Sequence, residues 1–202
     1  MQVLGTADDI RKAVQTRYSQ VAREPGGKYN FRVGRAFAEA LGYPADLLDA
    51  LPAALSEAFT GVFSTTDPGL LADVKPGQTV VDLGSGGGLD LVVLAGKVGP
   101  TGHAIGVDFA PDMVERARRS LAALDLPQVE VCLAAAEHTP VADGSVDWVV
   151  INGLLNLSPD KRAVLCEVAR ILAPAGRLLL AETTLRAPLR DGALTSIEDW
   201  FR

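Results

Sequence analysis

Val80-Val-Asp-Leu-Gly-Ser-Gly-Gly-Gly88 sets a short apolar run directly against a glycine-rich turn, and a helical pattern opens at Leu89. Glycine at 84, 86 and 88 lets the backbone bend through positive φ and approach a ligand with no Cβ in the way. The helix that follows adds free N–H groups and a partial positive charge at its start, where a carboxylate or phosphate can dock. Alone, this strand-turn-helix reading is a weak signal, because many glycine-rich loops are only tight turns.

The flanking sequence strengthens it. From Lys75 onward, short runs that are apolar on both faces occur at Thr79–Leu83, His103–Asp108, Val129–Leu133, Val146–Ile151 and Arg177–Glu182. Such runs are the mark of buried parallel strands. Helical patterns lie between them at 89–98, 111–124 and 160–173. The last has Ser158 as its expected cap and Pro159 at its first position, with Leu165, Val168 and Leu172 on one face. Strict alternation predicts right-handed crossovers and a Rossmann-like, doubly wound α/β fold with a mostly parallel sheet.

Upstream, residues 6–66 contain helical patterns and no convincing strand. Ile10, Val14, Tyr18 and Val21 follow helical spacing until Arg23-Glu-Pro-Gly-Gly27 stops them. Further helices are expected over 33–41 and 45–58, broken by Gly42-Tyr43-Pro44. The expected organisation is a helical cap over 1–66, a Rossmann-like domain over 67–186 that opens on Asp67-Pro68-Gly69, and a tail over 187–202. No internal repeat interrupts it.

Bulk chemistry narrows the partners. The chain is 48% hydrophobic and 22% charged over 202 residues, ordinary values for a globular protein. Its formal net charge of −6 argues against nucleic-acid and anionic-membrane surfaces. Arg116, Arg118 and Arg119 read as a solvated helix face. The two cysteines, Cys132 and Cys166, form no disulfide framework or metal pair and read as small buried hydrophobes. No signal peptide is evident, and no run approaches the roughly 20 apolar residues that span a bilayer, so a cytoplasmic protein with no membrane partner is expected. No Ser/His/Asp set, HxxxH or metal site is present, and His103 and His138 read as ordinary structural residues.

Two acids give the glycine loop a chemical identity. The spacing is GxGxG, and Leu89 stands where a dinucleotide-binding GxGxxG would carry its third glycine. Asp82 precedes the loop; it can accept backbone N–H groups of the turn and face an ammonium group through water. A nicotinamide cofactor has no such ammonium, whereas the methionine end of S-adenosyl-L-methionine does. The second strand ends at Asp108, one helix and one strand beyond Gly88, where a carboxylate can take both hydroxyls of an adenosine ribose. Phe109 and Met113 are then placed to pack on adenine.

These residues also carry a resemblance. VVDLGSGGG, GHAIGVDFAPDM, AAEHTPVADGSVDWVV and ILAPAGRLLLAE are similar, in order, to the successive motifs of class I S-adenosylmethionine-dependent methyltransferases. The resemblance covers Lys75 to Glu182. It implies that Asp82, Gly84, Ser85, Gly86 and Gly88 form the methionine-end loop, that Asp108 binds ribose, that Ala136 and Glu137 edge the adenine, and that Asn152 lies beside the methionine end. Tyr18 would cap the sulfonium through its ring. Val150-Ile-Asn-Gly-Leu-Leu-Asn-Leu-Ser-Pro-Asp-Lys161, with Tyr43-Pro44 and Glu57-Ala-Phe-Thr-Gly61, resembles the arsenite methyltransferase family.

Departures from that family bear on the acceptor. Its arsenic-holding thiolates suit a soft metalloid, but Gly153 stands where one of those cysteines follows Asn152, and residues 1–131 contain no cysteine. Ala135 replaces an acid that would reach the adenine amino group. The expected activity is methyl transfer to a small-molecule acceptor. A quinone-type or other small-metabolite carbon or oxygen methyltransferase, with Phe59, Phe63, Leu154 and Leu155 lining its acceptor pocket, is the alternative. A catalytically inactive S-adenosylmethionine-binding module is the other. Residues 183–202 are too few for the two antiparallel strands that such sheets add after the fifth, and the chain stops at Trp200-Phe-Arg202, short of a further family cysteine. A functional boundary beyond residue 202 is therefore expected, with a TGA-encoded selenocysteine as one specific cause. An exposed edge at Arg177–Glu182 would favour a homodimer.

Overall fold

The central sheet consists of β1 (Thr79–Leu83), β2 (His103–Asp108), β3 (Val129–Leu133), β4 (Val146–Asn152) and β5 (Leu172–Ala181), all parallel and ordered β3-β2-β1-β4-β5. It is seen in a computed structural model that describes residues 5–67, 71, 73–184 and 187. Residues 68–70 of the lead-in and 188–202 of the tail lie outside the described residues, and so does any completion of the sheet beyond β5. After β3 the chain crosses back to the other side of β1. The crevice between the carboxyl ends of β1 and β4 is the position at which doubly wound sheets hold ligands.

Burial follows strand position. Val80, Val81 and Leu83 of β1 and Val146, Val149, Val150 and Ile151 of β4 are buried. The expectation of burial on both faces is corrected for β3 and β5, which end the described sheet and leave Leu133, Leu178 and Leu180 exposed. β5 also begins earlier than Arg177. Leu172 pairs with Val146, and a bulge around Ala175 (φ 69°) re-sets the register so that Arg177 pairs with Trp148, with three more residues on β5 than on β4 between the two pairings.

Helices α5 (Leu89–Val98) and α6 (Pro111–Leu121) cover one face, where Leu91, Leu94, Val114 and Ala117 meet Val80, Ala104 and Val150. α7 (Lys161–Ile171) covers the other, setting Val164, Val168 and Ile171 against Val81, Leu83 and Val149. Its expected details need correction. Asp160, not Ser158, is the cap, accepting the Ala163 N–H at 2.9 Å. The buried stripe is Val164, Glu167, Val168 and Ile171, so Leu165 faces out.

Glu167 ties this helix to the β3–β4 connection. Its carboxylate accepts the Thr139 N–H at 2.6 Å and hydroxyl at 2.7 Å, and pairs with Arg170 at 2.6 Å. The Arg170 hydrogen bond, with smaller help from Thr139, holds its carboxyl down to about 2. A depressed carboxyl stabilises the fold above its unfolded value, and that contribution fades as pH falls toward 2. Glu167→Gln is expected to cost about 2 kcal/mol at neutral pH and nothing once the wild-type carboxyl is protonated. Urea unfolding at several pH values checks this; an equal cost at all pH values contradicts it.

The N-terminal segment is helical as expected. α1 (Ala7–Arg23) opens on a capping box between Thr6 and Asp9, and α2 (Arg35–Ala40) follows. The expected 45–58 helix is two, α3 (Ala45–Ala50) and α4 (Ala53–Glu57). Leu51 is extended between them (φ −103°, ψ 155°), the conformation that Pro52 imposes on the residue before it. Val21 and Ala22 of α1 pack against Ala110 and Met113 at the start of α6. Arg116 pins the same contact, donating to Ala54 O and Ala22 O at 2.8 Å and pairing with Glu57 at 2.7 Å. Arg118 donates twice to Val131 O. Of the three arginines read as a solvated face, only Arg119 is one. The cysteines are corrected too: Cys132 is half-buried and Cys166 exposed.

Candidate functional site

The glycine loop leaves β1 with Gly84, Gly86 and Gly88 at φ 87°, 51° and 91°, and Gly88 caps α5. The Gly84 and Ser85 N–H groups donate to Val107 O at 2.8 and 3.0 Å, which hangs the loop from β2. A Cβ at Gly84 would stand 2.5 Å from Leu154 Cδ1, whereas one at Gly86 would meet nothing within 4 Å. The first glycine is required by packing; the second opens onto a cavity.

Closure of the turn falls to Asp108. Its Oδ2 accepts the Gly86 N–H at 2.9 Å and its Oδ1 the Ala110 N–H at 2.8 Å. A carboxylate has about four acceptor positions, so capacity remains for a ligand hydroxyl beyond its backbone donors. Burial pushes its pKa up, and the N–H groups of Ala110, Gly86 and Phe109 pull it down. Asp82, expected to brace the loop, lies beneath it at 1% exposure with Oδ2 unpartnered. Burial first, then the charges of Asp90 and Asp108, push its carboxyl well above the usual range.

A cleft of about 720 Å³, counting its open mouth, adjoins this loop. Tyr18, Gly84, Gly86, Asp108, Phe109, Ala136, Glu137 and Asn152 all line it, together with Arg11, Val14, Thr60, Ala135 and the Gly153–Leu154 turn. Four expected residues do not. Ser85 is buried with its Oγ unpartnered, and Asp82 lies beneath the loop. Gly88 faces Ala117 and Leu55, serving helix packing. Met113 is corrected from an adenine contact to a core residue, fully buried among Val21, Ala22, Ala58 and Ala110. The expected acceptor wall is corrected similarly. Phe59 packs on Tyr43 in the helical core, Phe63 packs on the α5 side of the sheet, and Leu155 joins the α7 side.

Charge at the site is one-sided. The lining carries Asp108 and Glu137 against a single cation, Arg11, itself 3.8 Å from Glu137. Buried Asp82 and Asp90 lie behind it. Tyr18 stays protonated, its pKa raised by burial and then by Asp108 and Glu182, and its side chain bonds to Thr60. This surface suits a ligand with cationic and hydroxyl groups better than a pyrophosphate. No group of His, Cys, Asp or Glu among the described residues is arranged to hold a metal.

Sequence reading missed Asp90, Thr65 and Glu182. Asp90 accepts from Tyr43 OH, from Thr65 Oγ1 at 2.7 Å and from Asn152 Nδ2 at 2.8 Å. Glu182 accepts the Leu155 N–H and, at 3.3 Å, the Asn156 N–H, fixing the turn after β4. An acid in the first turn of a helix reads as a dipole partner, and one ending a strand reads as solvated. Neither pattern signals a long-range contact.

The same turn bears on arsenic. Gly153 has φ 79°, and a Cβ there would stand 3.2 Å from Val62 Cγ1. Gly153→Cys is therefore expected to destabilise the chain by about 1–2 kcal/mol and to create no arsenite capture. Thermal unfolding and arsenite binding check this; a stable variant that retains arsenite contradicts it.

Comparison with known proteins agrees with this geometry. The chain is similar to the arsenite methyltransferase of Halobacterium salinarum, 34% identical over 198 residues that cover 91% of this chain and 50% of the relative. It is similar also to the demethylmenaquinone methyltransferase of Bacillus cereus, 35% identical over 114 residues, 56% of this chain and 48% of the relative. Among solved structures it resembles the arsenic(III) S-adenosylmethionine methyltransferase of Chlamydomonas reinhardtii, with TM-score 0.53 and 30% identity over 73% of this chain and 48% of that one. The chain thus spans about half the length of the curated relatives it matches. The methyltransferase-domain family model matches residues 74–202, and the chain belongs to that family.

Proposed function

We propose that this chain binds S-adenosyl-L-methionine in the cleft and transfers its methyl group to a small-molecule acceptor. The observation that carries the reading is Asp108, which closes the glycine turn through Gly86 N–H and keeps acceptor capacity facing the cleft. The residues fit the cofactor. Asp108 takes the ribose hydroxyls, Ala136 and Glu137 edge the adenine with Phe109 packing against it, and Asp82, buried beneath the glycine loop, acts on the ammonium group from behind the cleft wall and not as a lining residue. When bound, the cofactor supplies an already activated methyl group, so the chain need only align donor and acceptor and exclude water. Tyr18 and Thr60 close the cap side of the cleft, and Leu154 and Leu157 give it an apolar wall.

Residues 1–66 act in this reading as a cap and not as a separate domain, since α1 supplies Arg11, Val14 and Tyr18 to the cleft. The apolar wall and the glycine at 153 favour a neutral carbon or oxygen acceptor over a thiolate-held metalloid. No helix among the described residues is long and apolar enough to cross a membrane, and we place the protein in the cytoplasm, without nucleic-acid or membrane partners. A homodimer through the β5 edge is the assembly we propose. Incubation with S-adenosylmethionine and separate acceptors (hydroquinones, phenols, arsenite with thiol) tests the activity. Formation of S-adenosylhomocysteine with the ring acceptors is expected. Turnover with arsenite alone would reverse the acceptor assignment, and cofactor binding without turnover on any acceptor would favour a binding module.

A further inference from the structure

Asn152 lines the cleft, yet its side-chain amide has nothing left to offer a ligand. Its Oδ1 accepts the Val62 N–H at 2.6 Å and the Phe63 N–H at 3.2 Å. Its Nδ2 donates to Phe63 O at 3.0 Å and to Asp90 Oδ2 at 2.8 Å. An amide has two donor hydrogens and two acceptor lone pairs, and all four are used within the protein. What Asn152 holds is the segment that crosses it. A Cβ at Gly61 would stand 2.4 Å from Asn152 Nδ2, so the chain passes in direct contact with the amide. One residue earlier, Thr60 enters the cleft wall and bonds to Tyr18.

Behind Asn152 lies a carboxylate with no route to the cleft. Asp90, 7% exposed, also accepts from the hydroxyls of Tyr43 and Thr65, and the Thr65 N–H returns to Tyr43 Oη at 3.2 Å. Tyr43, Thr65 and Asp90 are absent from the cleft lining. Four stretches of chain meet here: the lead-in to α3, the segment 62–65, the first turn of α5 and the end of β4. Burying a carboxylate is costly, and an apolar cluster of the same volume often gives equal or greater stability. The charge does have a geometric effect: it presents an acceptor to Asn152 Nδ2 and so fixes which way the amide faces.

We propose that Asp90 and Tyr43 are positioning residues for the cleft, acting through Asn152 to set Thr60, and with it the Tyr18 hydroxyl, against the glycine loop. The proposal rests on reading the cleft as the S-adenosylmethionine site, and its test separates the two. Tyr43→Phe and Asp90→Asn are made in the full chain. Nuclear magnetic resonance of the ligand-free proteins follows the Asn152 side-chain amide and the Tyr18 ring, and calorimetry follows S-adenosylhomocysteine. In Tyr43→Phe, which removes one hydroxyl and no other atom from the core, both sets of signals should move although neither residue touches position 43. Affinity should fall about 10-fold, within the range by which network residues modulate a distant site. Asp90→Asn, which removes the charge and replaces one acceptor oxygen of the cluster by a donor, should move the same signals; should it fail to fold, Tyr43→Phe decides alone. Unmoved Tyr18 signals, or wild-type affinity in Tyr43→Phe, would overturn the positioning role. A wild-type chain that ignores S-adenosylhomocysteine would instead overturn the cofactor reading, and the Tyr18 signals would still decide the positioning.

Discussion

Asp108→Ala is expected to weaken S-adenosylhomocysteine binding by roughly 10- to 150-fold. The magnitude follows from about 1.5–3 kcal/mol for a hydrogen bond to a charged acceptor. The structure adds a second reason for a large effect. The carboxylate that faces the cleft also holds Gly86 N–H and Ala110 N–H, at 2.9 and 2.8 Å, so its removal frees the glycine turn as well. Asp108→Asn separates the parts, because its amide oxygen can still accept the Gly86 N–H while the charge is lost. The asparagine variant should therefore bind more tightly than the alanine variant and more weakly than wild type. Unchanged affinity in Asp108→Ala, measured by titration calorimetry, removes this residue from the site.

Asp82→Asn is expected to strengthen the ligand-free fold while weakening the ligand. Asp82 Oδ2 is buried without a partner, and burial together with Asp90 and Asp108 raises its pKa. A raised carboxyl contributes stability that is fully present below its unfolded value and is lost as pH rises through the folded one. The asparagine removes that loss. Its advantage over wild type should thus be absent below the unfolded carboxyl value, grow as pH rises above it, and level off once the folded carboxyl is ionised. There it should reach about 1–3 kcal/mol, the cost of an unsatisfied buried group. For a chain of this size that corresponds to a rise of a few degrees in Tm. With the ammonium counter-charge gone, S-adenosylhomocysteine affinity should fall at least about 10-fold. This opposition between stability and binding is usual at functional sites. A variant that is less stable at every pH would mean that the carboxylate is satisfied in the native protein.

Much of the sheet and part of the site were legible because their signals are local. The apolar run to Leu83, the glycines at 84, 86 and 88 and the acid at 108 form one strand-turn-helix-strand unit, and their spacing suffices to place them. Leu89 excluded a dinucleotide fingerprint for the same reason. What sequence reading lost were properties that depend on a distant partner. Met113 looks like any apolar residue in the first turn of a helix, and only α1, packing against it through Val21 and Ala22, makes it core. Arg116 appeared solvated because the carbonyls that bind it, on Ala54 and Ala22, are 62 and 94 residues away. Asn152 was assigned to the methionine end from the resemblance to class I methyltransferases, but its amide is consumed by partners 62 to 90 residues distant. On α7, Leu165 and Val164 are equally apolar, and a slip of one residue was enough to choose the exposed one.

The central claim is that the cleft is built for a cationic adenosyl cofactor and not for a dinucleotide. Calorimetric titration of the wild-type chain with S-adenosylhomocysteine and, separately, with NAD tests it most directly. The account predicts saturable binding of S-adenosylhomocysteine at one site per chain and no measurable heat from NAD at the same concentrations. Binding of NAD as tight as that of S-adenosylhomocysteine would contradict it, and so would the absence of S-adenosylhomocysteine binding by a folded chain.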